Sequence, residues 1–297
     1  MSAEARTRAI GVRPRPRGGR WRRAALLLVA SLPMYALLIV SAVVILFPLY
    51  LTFVDSLQPI SKLLQYPPEL WTSSPQWSNY HKALTDIPMP RYLMNSLIMA
   101  GVITVGQLIT SILAAYAFSY MRFPGRNPVF VLFLSTMMVP WEASIIPNFQ
   151  IIQRLNWLDT YQGLTVPFLA TAFGTFLLRQ HFLTLPGELK DAADIDGYGN
   201  LRFLAFVVVP LSRAAIATLA VFSFLQAWHQ YLWPLLITND PHMRTVQIGI
   251  ASLQGSEVQQ TNVVLAGTLI ALLPMLVLVI AFQRFLVRGL TAGAVKG

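Results

Sequence analysis

Four carboxylates crowd into nine residues of this 297-residue chain, Glu188, Asp191, Asp194 and Asp196 in "ELKDAADID". Glu188, Asp191 and Asp194 recur every three residues, so on a helix they form one acidic stripe. Leu189, Ala192, Ala193 and Asp196 fall on a neighbouring face, where two alanines let another backbone come close. Such a helix can plug a cleft lined with Arg or Lys. Acids in a loop can equally serve only to keep it in water, and the residues by themselves leave both readings open. Glu142, in "MMVPWEASIIP", is the one acid deep inside an apolar stretch. There it must be paired, protonated or wet.

Other chemistry is thin. The absence of cysteine excludes disulfides, thiolate catalysis and Cys-ligated metals. His81, His181, His229 and His242 have no metal-ligand spacing. No G-x-x-x-x-G-K-[ST] loop is present, so ATP is not hydrolysed by this chain. No His/Asp/Glu or Ser/Lys cluster sits at one depth, as a membrane enzyme would need. The expectation is a protein without catalytic residues, metal or nucleotide of its own.

The elements that hold these residues are set by composition. The chain is 55% hydrophobic and 11% charged, against about 25% charge in soluble domains. Several apolar runs reach the roughly 20 residues that a membrane-spanning helix needs. An all-α integral membrane fold follows, because a spanning segment must satisfy its own backbone. Six spans are expected: residues 24–53, 93–118, 129–151 (with Pro140 and Pro147 inside), 164–182, 206–237 and 263–286.

Seventeen of the 22 Lys and Arg fall on the side of the N-terminal arm, eight of them before Ala24. By the positive-inside rule both termini are cytoplasmic. Residues 1–23 read as a basic, unstructured arm at an anionic membrane face rather than a nucleic-acid site, and 24–297 as one six-helix transmembrane domain. Trp71, Trp77 and Tyr80 lie in the outer loop that follows, where they anchor at the interface or dock an external partner.

On this topology residues 185–206 form the longest cytosolic loop. A helix is expected over Leu185–Ile195, with Thr184 as N-cap, Pro186 in the first turn and Gly197 as the stop. Two polar helical faces complete the pattern, Thr104–Gln107–Ser111 and Ser223–Gln226–Gln230–Trp233. They hold helices together or line a hydrophilic path; the first reading suits Thr104, Gln107 and Ser111, the second Glu142, Gln226, Gln230 and Trp233. His229 is expected to be structural.

The stretch "DAADIDGYGNLRFLAFVVVP" resembles the signature of binding-protein-dependent ABC importer permeases. Asp191-Ala192-Ala193, Gly197, Val207, Val209 and Pro210 keep every spacing, with Asp where Glu is usual and valines where Ile and Leu are usual. "QRFLVRGLTAGAVKG" is similar to the tail of maltose-type permeases, and "AWHQYLWPLLIT" to permeases of glycerol-3-phosphate importers. The likeness runs from Pro48 to Gly297.

It implies a type I ABC importer permease in a bacterial inner membrane. The implied partners are a second related permease, two ABC ATPase subunits that bind ATP and Mg, and an extracytoplasmic solute-binding protein. Glu188–Asp196 would be a coupling helix seated in an ATPase cleft, with Gly197 and Pro210 passing its movement to span five. Thr291, Ala292, Gly293 and Lys296 would reach between the ATPases. The implied solute is carbohydrate-class: a sugar or oligosaccharide, or sn-glycerol 3-phosphate or a glycerophosphodiester. No Lys or Arg lies at mid-membrane, which leans toward a neutral sugar, whereas the "QYLWPLL" likeness leans toward the phosphate ester. An ion- or proton-coupled secondary transporter is the alternative; it would be expected to carry inverted repeats or coupling carboxylates.

Overall fold

The computed structural model describes residues 19–63, 65–254 and 260–291, with side chains from residue 32 to residue 284 within them. The arm before Gly19 and the tail positions Ala292, Gly293 and Lys296 lie outside the described residues. Thr291 is the last residue of a helix.

Fifteen helices follow in chain order among the described residues: α1 Gly19–Ser56, α2 Ile60–Leu63, α3 Ser78–Thr85, α4 Met89–Tyr120, α5 Arg126–Ser135, α6 Trp141–Arg154, α7 Tyr161–Thr165, α8 Ala172–Phe182, α9 Glu188–Ile195, α10 Asn200–Phe203, α11 Val209–Leu211, α12 Arg213–Trp228, α13 Leu232–Ile237, α14 Val246–Gln254 and α15 Thr261–Thr291. The chain divides into two compact units, residues 1–52 and 53–297. In the first unit Pro33 and Pro48 interrupt α1, and Thr52 Oγ1 donates to Pro48 O at 2.8 Å. A hydroxyl satisfied this way is tolerated where no water is present.

In the second unit α4 and α15 are long and apolar enough to cross a bilayer, as is α1 over Leu32–Ser56. The other expected spans are broken. Span three bends by 95° between Arg126–Met138 and Trp141–Arg154, span four by 45° before Ala172, and span five by 82° at Ser212. The first break has a local cause. Pro140 pushes Val139 out of the helical region, to φ −83° and ψ 114°, and begins the next helix without needing an N–H. Span five also stops early: α12 ends at Trp228, and Leu232–Ile237 is a separate helix rather than its continuation.

Inside a bilayer, apolar contact between helices gains little over contact with lipid, so close approach and polar links decide packing. A Cβ on Gly174 of α8 would stand 2.4 Å from Ser111 Oγ and 3.1 Å from a Leu219 methyl, so α8 meets α4 and α12 with no room for a side chain. Gln107 Nε2 donates to Phe168 O at 2.9 Å, and Thr110 Oγ1 to Leu169 O at 2.8 Å, tying α4 to the break before α8. Two cores result. One gathers Met89, Tyr92, Met99, Trp228 and Trp233; the other gathers Tyr116, Leu178, Phe182, Ala193, Phe203 and Val208 beside α9.

Candidate functional site: an acidic helix and its lever

Helix α9 begins later than expected, at Glu188. Thr184 does not cap it: its hydroxyl donates back to His181 O at 2.7 Å, closing the end of α8. Gly187 occupies the N-cap without a side chain to offer, the N–H groups of Leu189 and Lys190 turn back to Pro186 O and Gly187 O, and Glu188 and Asp191 in the first turn suit the helix dipole. The C-terminal end is tightly specified. Gly197 sits at φ +74°, its N–H donates to Asp194 O at 3.1 Å, and Tyr198 N–H reaches Ala193 O at 2.8 Å. This crossed pair is a Schellman closure, which needs a left-handed residue that glycine supplies without strain.

The two alanines part company. Ala193 is 6% exposed and plugs the second core with Leu189 beside it, whereas Ala192 faces outward. The acidic stripe is also revised. Lys190 forms an i,i+4 ion pair with Asp194 and lies over the Phe203 ring at 5.5 Å, so Asp194 is neutralised by its own helix. The outward face is Glu188, Asp191, Ala192 and Ile195, with Asp196 exposed at the end. Ile195 is 87% exposed, a large apolar side chain left open among the described residues. Sequence reasoning passed over it; its place seven residues after Glu188, on the same helical face, was the signal available.

Behind α9 the chain is clamped. Arg202 stacks over the Tyr198 ring at 4.9 Å, and Tyr116 Oη donates to Asn200 Oδ1 at 3.2 Å. Tyr120 meets Phe203 edge-on at 5.4 Å while its hydroxyl donates to Phe182 O at 3.2 Å. A five-residue π-helical turn, Leu204–Val208, follows, with Val209 N–H donating to Leu204 O. Pro210 has no N–H to continue an α-helical ladder, and two residues later Ser212 turns the chain through 82° into α12. The acidic loop, the π-turn, the proline and α12 thus follow one another directly along the chain.

The second set of candidates is not brought together as one face. Glu142 lies in the first turn of α6, exposed, immediately after the Pro140 break. That position suits a carboxylate through the helix dipole, and it removes the need for a buried partner. Gln226 is exposed on α12, but α12 ends two residues later, so Gln230 leaves the helical register. Gln230 Oε1 is buried without a hydrogen-bond partner among the described residues. Trp233 is 2% exposed, donates from Nε1 to Gly163 O at 3.1 Å, and packs edge-on against Trp141 and Phe168. It is a core residue here and does not share a surface with Gln226.

On α4, Thr104 bonds its own helix at Ala100 O, and Gln107 links to the α8 side as the helix-joining reading expects. Ser111 Oγ is buried with no partner. His229 is exposed at the end of α12 and lines a cavity of about 130 Å³ with Trp228, Gln247 and Thr268. Among the described residues no group of three His, Cys, Asp or Glu is placed to hold a metal.

Comparisons agree with this geometry. Residues 8–292 match the family described as "Binding-protein-dependent transport system inner membrane component". The chain is 44% identical over 264 residues to the sn-glycerol-3-phosphate transport system permease protein UgpE of Yersinia pestis bv. Antiqua, covering 86% of this chain and 94% of that one. It is 38% identical over 271 residues to the protein of the same name from Brucella abortus, covering 88% and 96%. In fold it is similar to a chain of a bacterial ABC transporter that imports the acidic polysaccharide alginate, with TM-score 0.75, 23% identity and coverage of 86% and 96%. A second structure, of an alginate ABC transporter in complex with an alginate-pentasaccharide-bound periplasmic protein, matches with TM-score 0.61 and 14% identity.

Proposed function

We propose, on the premise that this chain belongs to the binding-protein-dependent transport system inner membrane components, that it imports sn-glycerol 3-phosphate or a closely related glycerophosphodiester. The chain is a permease subunit of an ATP-driven importer in the inner membrane, and it is not itself an enzyme. That membership displaces the ion-coupled secondary transporter. The observation that carries the substrate reading is the 44% identity to a glycerol-3-phosphate permease along 86% of the chain.

In this reading all six apolar segments cross the membrane and both termini are cytoplasmic. A second permease and two ATPase subunits, which bind ATP and Mg, complete the complex, and a periplasmic protein delivers the solute. The exposed edge of α9 sits in the ATPase. When two ATPases close on ATP they pull that edge, and the Schellman closure at Gly197 keeps the pull from dissipating as fraying. Phe203 and Tyr198 carry it to the π-turn, and Pro210 hands it to α12. Two positions of one rigid lever then correspond to two positions of the bundle. Glu142, Gln226 and Gln230 supply hydrogen-bonding groups toward the solute's hydroxyls, and the tail from Thr291 reaches the ATPases.

The neutral-sugar alternative draws on the absence of Lys or Arg at mid-membrane. It is weakened because a path for an anion needs only modest, multi-site hydrogen bonding if the solute is to leave again. The test is uptake of radiolabelled sn-glycerol 3-phosphate into vesicles carrying the whole importer with its binding protein. Uptake should require ATP and resist competition by maltose. Maltose uptake with no glycerol-3-phosphate uptake would overturn the assignment.

A further inference from the structure

Three arginines converge where α4 ends, at the same end of the bundle as α9. Arg179 Nε donates to Phe118 O at 3.2 Å, and Arg126 Nη1 to Ser119 O and Met121 O at 3.4 and 3.2 Å. Gly125, at φ +77°, reverses the chain so that Arg126 can fold back onto those carbonyls. Both arginines thus bond carbonyls at the same end of α4, and Arg179 lies over the Phe130 ring at 4.2 Å. Arg122 stands exposed in the same loop. Capping the end of α4 explains part of this, but a helix C-terminus offers only about half a negative charge against three guanidinium groups. None of the three is in an ion pair with a carboxylate among the described residues.

Arg122 and Arg126 open onto a shallow, solvent-open cleft lined by residues 122–128, none of them acidic. The cleft borders apolar surface on the bundle side. Phe118 contacts Phe123 and Phe130, and Val129 and Leu132, 48% and 69% exposed, continue outward one helical turn apart along α5. A soluble phosphate would use the arginines and leave that stripe idle. An amphiphile uses both.

We propose that this cleft binds an anionic phospholipid, its phosphate held by Arg122 and Arg126 and its acyl chain laid along Val129 and Leu132. Basic pockets at the membrane's edge select such headgroups. The lipid would seat beside the Tyr120–Phe203 contact on which the α9 lever pivots, so its occupancy would bear on coupling. The inference stands on the basic cleft and does not depend on which solute is moved.

The experiment is native mass spectrometry of the complete importer, released from membranes and exposed to phosphatidylglycerol or phosphatidylcholine. The expected result is preferential retention of phosphatidylglycerol. Arg122→Gln should weaken it about fivefold, the effect of one guanidinium at an anionic surface, while Arg122→Lys keeps most of it. Arg213→Gln, which removes a charge at the start of α12, should leave retention unchanged. Equal retention of the two lipids by the unaltered complex would overturn the proposal whatever the variants do. So would an equal loss in Arg122→Gln and Arg213→Gln, or displacement of the lipid by millimolar inorganic phosphate, which would make the occupant a soluble anion.

Discussion

The α9 lever and the polar set around Gln226 share a sequence pattern, polar residues three and four apart, yet only the lever holds together in space. Glu188, Asp191 and Ile195 lie within one eight-residue helix whose C-terminal closure is in hand at Gly197, so spacing converts directly into a face. The span-five set straddles the end of α12 at Trp228, beyond which helical spacing has no meaning. Periodicity is a statement about an unbroken helix. Pro140 marks the break in span three, and Pro234, in the first turn of α13, bars an unbroken helix through Gln230, so both breaks carry a local sign in the sequence.

The comparison can be broken or sharpened by one deletion and four substitutions, taken from the largest effect. Deleting Lys190–Gly197 should abolish co-purification of the ATPase while the second permease still co-purifies; retained ATPase would place the coupling contact elsewhere. Phe203→Ala empties a side chain that is 1% exposed and contacts Tyr116, Tyr120 and Lys190. It should cost about 3–5 kcal/mol in thermal unfolding of the purified complex, and solute-stimulated ATP hydrolysis should fall with it.

Gly197→Ala forces a side chain into the left-handed region at a cost of about 1 kcal/mol. No neighbouring atom would meet the added Cβ, so the loss should appear as a frayed α9, read by faster hydrogen exchange at Asp196 to Tyr198, and not as misassembly. Trp233→Phe removes the bond to Gly163 O and should cost about 1 kcal/mol with KM for the solute unchanged. A shifted KM at unaltered stability would return Trp233 to the path.

Glu142→Gln, on an exposed first turn, should leave melting and assembly as they are. It should lower uptake only if the carboxylate meets the solute. Unchanged transport would remove Glu142 from the route.

Much of the candidate site at α9 was legible because it is local. The acid-Ala-Ala spacing, the stop at glycine and the proline thirteen residues on are each readable within a few turns of chain. What could not be read was which alanine points inward, because that depends on where α4 and α8 stand. Nor could the sequence tell that Lys190 would spend itself on Asp194, leaving Ile195 as the exposed end of the stripe. Span boundaries were close for α4 and α15, whose apolar runs are uninterrupted. They failed for span five, where α12 ends at Trp228 and a separate helix begins at Leu232.

The chain alone determines that this is a membrane protein of helices, because a composition 55% apolar and only 11% charged admits no water-soluble fold. It also determines where α9 and the helical ladder before α12 stop, since a left-handed residue and a missing N–H are properties of Gly197 and Pro210 themselves. The tertiary structure decided orientation: which face of α9 is spent on the chain's own core, that Trp233 is core rather than pathway, and that Arg122, Arg126 and Arg179 meet at one helix end. Those outcomes depend on contacts between segments tens of residues apart, and the separation along the chain carries no record of them.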